Sequence, residues 1–148
     1  MRLLLPLLLS ACCAIAPPGV DVIDGDTLRL ADGQLVETVR VLGIDAPELD
    51  QPGGKDARAE LARLCGPPAT VKLDRRGKDG RGRTLARVWC GGEDAGLALI
   101  SAGLAWAYTA FSPPRSYSDA QAAAIVAQRG IWQAGGAVPP WTWREKRR

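Results

Sequence analysis

Between residues 20 and 42 apolar and polar positions alternate (Val20, Val22, Leu28, Leu30, Val39 and Val41 against Asp21, Arg29, Thr38 and Arg40), the pattern of strands with one face buried. Strands are predicted over 20–23, 27–30 and 36–42, with Asp32-Gly33 as a hairpin turn. Two more are predicted over 70–74 and 84–90, each bounded by Gly or Asp clusters. Residues 55–65 carry Ala57, Leu61, Ala62 and Leu64 near helical period and stop at Gly66-Pro67-Pro68. A short second helix is expected over 95–102 and an Ala-rich third over 118–128, ended at Gly130. Three strands, a helix, two strands and two helices fit a mainly β fold, a five-stranded OB barrel with three α-helices. Residues 49–54 are expected to be a mobile loop. Gly135-Gly136 and Pro139-Pro140 predict an extended tail pinned by Trp141 and Trp143.

The first hairpin changes the picture because of the charges it carries. Counting back from Asp32-Gly33, Arg40 falls opposite Asp26 or one residue off, and the strand holding it runs into Asp45 and Glu48. Asp26, Arg40, Asp45 and Glu48 therefore gather at one end of a sheet. Hard cations such as Ca²⁺ take several oxygen ligands, and Asp26, Asp45 and the Ala46 carbonyl can supply them. Arg40 can clamp a phosphate through a charge-assisted fork. Glu48 is then the base that orients or deprotonates the attacking water.

Composition narrows the chemistry further. The 148 residues allow one domain with a modest core. They include no histidine, which excludes imidazole bases, His-built zinc sites and Ser-His-Asp triads. Net charge is only +3, so basicity is local: Lys72, Arg75, Arg76, Lys78, Arg81, Arg83 and Arg87 face only Asp74 and Asp79 over that stretch. Such a cluster fits a nucleic-acid backbone. The tail Arg144-Glu145-Lys146-Arg147-Arg148 is expected to be a solvated end rather than a binding arm.

A second motif lies downstream: Asp79-Gly80-Arg81-Gly82-Arg83-Thr84-Leu85-Ala86, a Gly-rich turn delivering an arginine to a strand. Together with "DGDT" at Asp24, "RVLGIDAPE" from Arg40, "GLAWAY" from Gly103 and "GIW" from Gly130, it resembles the staphylococcal-nuclease-like (thermonuclease) family from about Val20 to Trp132. The resemblance implies the same OB fold. It implies that Asp26 and Asp45 are metal-binding aspartates, Arg40 and Arg83 phosphate-binding arginines, Glu48 the catalytic glutamate and Tyr108 a nucleotide contact. Gly80 and Arg81 stand where the family usually has a basic residue and a tyrosine, so Arg81 is expected to touch substrate. Gly96 stands where the family tends to have asparagine in a short helix. The expected activity is a Ca²⁺-dependent phosphodiesterase acting on DNA, with RNA as a further candidate substrate, and the resemblance implies 3′-phosphate ends. The alternative is a non-catalytic OB-fold module that binds single strands through a basic groove and aromatic stacking; a structural envelope lipoprotein is a third reading.

The first residues, one arginine and a short apolar run to Leu9, read as a secretory signal. Leu9-Ser10-Ala11-Cys12 resembles a bacterial lipobox, so Cys12 is expected to carry lipid and tether the domain to a membrane of the cell envelope. Cleavage after Ala14-Ile15-Ala16, giving a secreted protein, is the competing reading. Domain boundaries follow: signal and tether over 1–19, the nuclease-like domain over 20–133, and a Pro/Trp/basic tail over 134–148, in a monomer. For Cys65 and Cys90, an oxidising compartment makes a disulfide the expectation, against two buried free thiols.

Overall fold

A computed structural model of the chain describes residues 19–147. The leader and Cys12 lie outside the described residues. β1 (Gly19–Val22), β2 (Thr27–Asp32) and β3 (Leu35–Val41) form an antiparallel meander. After the short β4 (Ile44–Asp45) and helix α1 (Gly54–Cys65), the chain makes the hairpin β5 (Val71–Lys78) and β6 (Thr84–Cys90). β6 returns beside β3 and pairs with it in parallel, giving the order β1-β2-β3-β6-β5. The fold is thus mainly β with helices and OB-like in its strand path, although among the described residues no ladder joins β5 back to β1.

The short β7 (Glu93–Asp94) pairs with β6 and leads into α2 (Ala95–Ser101). β8 (Trp106–Ala107) pairs with β4, and α3 (Arg115–Val126) and α4 (Pro140–Glu145) complete the chain. Two elements depart from the sequence expectation. The tail is not merely extended, because Pro140 sits at the start of α4, where its fixed φ favours a helix and its missing N–H costs nothing. Six residues are too few to betray a helical period. Residues 49–54 form a bonded turn: the Gln51 N–H donates to the Glu48 carbonyl at 2.8 Å and the Gly54 N–H to the Gln51 carbonyl at 2.9 Å.

The core explains why the sheet holds its register. β6 turns Thr84, Ala86, Val88 and Cys90 inward, against Leu28, Val39 and Val41 of the meander and Leu61, Leu99 and Ile100 of the helices. A one-residue slip would expose this whole set. Tyr117 of α3 is fully buried, and its hydroxyl donates to Asp94 Oδ1 at 2.7 Å. The same oxygen caps α2 by accepting from the Leu97 N–H at 3.1 Å, while Oδ2 accepts from Arg87 at 2.8 Å. Burial pushes the Tyr117 hydroxyl well above its ordinary pKa. This packing accounts for Gly96, since a Cβ there would lie 2.6 Å from Tyr117 Oη. A disulfide between Cys65 and Cys90 joins the end of α1 to the end of β6.

Candidate active site

Strand register builds the site. Arg40 pairs with Thr27, the one-off alternative of the two registers, and the Val41 N–H donates to the Asp26 carbonyl at 2.8 Å. Asp26 therefore stands at the end of β2 beside Arg40. β4 brings Asp45 back toward the same end and is held there by its ladder to β8, with Asp45 opposite Trp106. The turn before β2 must approach α1 closely: a Cβ on Gly25 would meet those of Ala57 and Ala46 at 2.6 and 2.7 Å. Glycine at that position lets Asp26 sit against Ala46.

Both aspartates are buried, Asp26 6% and Asp45 2% exposed. Asp26 Oδ2 accepts from the Ala46 N–H at 2.7 Å, and Oδ1 accepts from the Thr27 hydroxyl at 3.2 Å. Arg40 lies between the two carboxylates, forming an ion pair with Asp26 and donating to Asp45 Oδ1 at 3.0 Å. Burial still dominates at Asp26. It pushes the carboxyl up to about 7, with Asp24 and Asp45 adding repulsion and Arg40 and the Ala46 N–H opposing it. An anion this poorly solvated gains from any further positive charge brought to it.

The remaining predicted residues fall around this pair. Arg83, at the start of β6, donates through Nε to Asp79 Oδ2 at 2.8 Å, and its Nη1 lies 3.5 Å from the Thr27 hydroxyl. It thus approaches the Asp26 end of the site while Asp79 holds its guanidinium. Glu48 is partly exposed at the mouth, and the Glu48 N–H donates to Gln51 Oε1 at 3.1 Å. Tyr108 is half-buried near the tail, with its ring 5.8 Å from Phe111 and 5.9 Å from Trp141. Arg81 is exposed on the turn before β6, away from the aspartates' contacts, and joins no salt bridge among the described residues. The basic stretch is partly neutralised, since Arg75 pairs with Glu37 and Arg76 with Asp74.

Sequence reasoning missed Arg144. Expected as part of a solvated end, it donates from Nη2 to Asp45 Oδ2 and from Nη1 to Glu48 Oε1, both at 2.8 Å, and from Nη1 to Asp45 Oδ1 at 3.2 Å. These hydrogen bonds, the one to Asp45 first, hold its guanidinium more firmly protonated than in water. No local signal could have found it, because the contact spans 99 residues and depends on how α4 docks. Asp79 and Gln51, which hold Arg83 and the Glu48 turn, were also missed as site residues. Gln51 is buried, and its Nε2 donates to the Val138 carbonyl at 2.6 Å.

The donor set suits a hard cation. Its ligating atoms are oxygens only, and the carboxylates of Asp26 and Asp45 converge closely enough to share one guanidinium. Among the described residues no three His, Cys, Asp or Glu side chains gather as a ready metal cluster, so the two aspartates would need backbone oxygen and water to complete the shell. Two buried carboxylates, a glutamate at the mouth and flanking arginines define a class of protein built for phosphate chemistry.

The family follows from the sequence itself. Over residues 38–134 the chain matches the family described as staphylococcal nuclease homologue, and it belongs to that family. A protein of Haemophilus influenzae named "Uncharacterized endonuclease" is 35% identical, covering 97% of this chain and 82% of its own length. One of the same name from Escherichia coli O157:H7 is 32% identical over 99% of this chain and 100% of its own. A rice protein named "Probable staphylococcal-like nuclease CAN2" is 32% identical over 74% of this chain but only 30% of its own length. The chain thus spans about a third of the plant relatives it matches and most or all of these two bacterial ones.

Proposed function

We propose that the protein is a Ca²⁺-dependent phosphodiesterase that hydrolyses DNA and RNA and leaves 3′-phosphate ends. The observation that carries this reading is the meeting of Asp26, Arg40 and Asp45 at one sheet end, with Glu48 and Arg83 beside them. Family membership and relatives named as endonucleases support it. Asp26, Asp45 and the Ala46 carbonyl would hold the ion. When bound, Ca²⁺ supplies charge at the phosphate and makes nearby water more acidic.

The chain's own residues do the rest. Glu48, at the mouth, accepts a proton from the attacking water, whose oxygen bonds to phosphorus as the bond to the 5′-oxygen breaks; that oxygen leaves with a proton from solvent. Arg40 and Arg83 stabilise the charge that builds on the non-bridging oxygens. Arg40 is fixed by its two aspartates and Arg83 by Asp79, so their orientation is set before substrate arrives. Tyr108 offers a ring for a base, and Arg81 a charge for flanking phosphates. Membrane attachment through Cys12 in the cell envelope is part of the same proposal and rests on Leu9-Ser10-Ala11-Cys12. Mass spectrometry of the N-terminal peptide from native membranes should find it acylated; a mature chain starting unmodified at Pro17 would rule this out.

The activity is tested by incubating the purified protein with labelled single- and double-stranded DNA and RNA, with Ca²⁺ or with chelator. Cleavage that appears with Ca²⁺ and stops with chelator is expected. Tight single-strand binding without cleavage under any divalent ion would favour the non-catalytic OB-fold module.

A further inference from the structure

Arg144 reaches the carboxylates by design of the tail rather than by chance. Pro139 and Pro140 open α4, and Trp141 packs edge-on against Trp106 at 5.7 Å and lies 5.9 Å from Tyr108. Upstream, buried Gln51 holds the Val138 carbonyl. Downstream, Trp143 Nε1 lies 3.4 Å from Asp50 Oδ1, and Arg147 pairs with the same carboxylate. These anchors lay the tail across the site mouth as a strap and present one side chain to it. The guanidinium then engages both oxygens of Asp45 and one of Glu48.

That contact takes the Asp45 oxygen, Oδ2, that Arg40 leaves free. Asp45 Oδ1 already accepts from Arg40 and Arg144, and Oδ2 accepts from Arg144. A divalent ion held by Asp45 would sit beside a like-charged guanidinium, which repels it and competes for the same lone pairs. The strap can yield. The Arg144 side chain is 41% exposed, against 16% for Arg40. A cavity of about 490 Å³ bounded by Pro47, Gln51, Gly53, Ile131, Val138 and Trp143 borders the tail on the Trp143 side.

We propose that Arg144 is an internal counter-cation that occupies Asp45 and Glu48 until a divalent ion displaces it, so that metal loading and release of the C-terminal strap are one exchange. The exchange rests on the reading of Asp26 and Asp45 as metal ligands. It frees Glu48 to act as a base only when the ion is present, and it keeps buried Asp45 compensated when the ion is absent.

The test measures Ca²⁺ binding directly, by calorimetry on the full chain without substrate, for wild type, Arg144→Gln, Arg144→Lys and Asp45→Asn. Intrinsic tryptophan fluorescence follows the strap in the same titrations. Exchange predicts that Arg144→Gln binds Ca²⁺ about fivefold more tightly than wild type, with Arg144→Lys between them because it keeps charge but loses the fork. Wild-type fluorescence should change with Ca²⁺ occupancy as Trp141 and Trp143 shift, and Asp45→Asn should lose binding. Equal or weaker Ca²⁺ binding by folded Arg144→Gln, with Asp45→Asn still defective, overturns the exchange and leaves the metal site standing. Absence of Ca²⁺ binding in every protein, or unchanged binding in Asp45→Asn, overturns the metal reading and the exchange with it.

Discussion

Two arginines meet the same carboxylate from opposite ends of the chain, and they are held in different ways. Arg40 is fixed by strand register: it sits in β3, pairs with Thr27 and is largely enclosed between Asp26 and Asp45. Arg144 comes from a six-residue helix on a strap tied down by a few polar and aromatic contacts. The first is part of the core that defines the site. The second is a removable neighbour of it. Buried charge is costly unless compensated, so the sheet supplies permanent compensation and the tail supplies a provisional one.

Removing each arginine in turn separates the two roles. Arg40→Ala leaves two buried carboxylates facing one another, and metal-free protein should lose about 3–5 kcal/mol of stability in urea unfolding. A loss no larger than that from the tail arginine would mean that Arg40 is not the permanent partner.

The disulfide ties α1 to β6, the strand that Arg83 leads into. Replacing both Cys65 and Cys90 by alanine should cost roughly 3 kcal/mol, as expected for closing a loop of 25 residues, measured by the same unfolding curves. A double variant as stable as the oxidised wild type would contradict this.

The elevated pKa of Asp26 has a defined sign. Its carboxyl sits at about 7 in the folded protein and near 3.8 when unfolded, so the folded state holds the proton more tightly. Stability due to this group is therefore complete below about pH 3.8 and falls as pH rises through 7. Asp26→Asn removes the titration. The stability of the metal-free variant relative to wild type should rise by about 2–3 kcal/mol between pH 5 and 8. A difference independent of pH would show that burial does not set the protonation of Asp26.

The smallest effect belongs to the strap. Arg144→Ala removes a partly exposed guanidinium from Glu48 and from Asp45, which keeps Arg40, and should change metal-free stability by no more than about 1 kcal/mol. A loss approaching that of Arg40→Ala would place Arg144 in the permanent architecture.

What could be read from the sequence follows the same division. Alternation over β1 to β3 and the Asp32-Gly33 turn place Asp26, Arg40 and Asp45 together, because period-two patterning and turn position fix register locally. The mainly β OB-like class is legible from the succession of strands and helices, and the pairing of Cys65 with Cys90 from the compartment that a secretory leader implies. α4 was not legible, since its six residues gain their stability from Trp141 against Trp106 and Tyr108 rather than from their own pattern. Arg144 escaped with it. The basic stretch over β5 was legible as charge, but its neutralisation by Glu37 was not, because that pair spans 38 residues.

The central question for the molecule is whether this constellation performs hydrolysis. The direct measurement is single-turnover cleavage of one labelled oligonucleotide at saturating Ca²⁺ by wild type, Glu48→Gln and Arg83→Lys. Glu48→Gln keeps size and polarity but cannot take a proton, so its rate should fall by about 10²–10⁴-fold with substrate binding largely kept. Arg83→Lys keeps charge but loses the planar fork that meets the transition state, and should be severely slowed as well. Rates near wild type in both folded variants would contradict the assignment and move the chemistry to other residues.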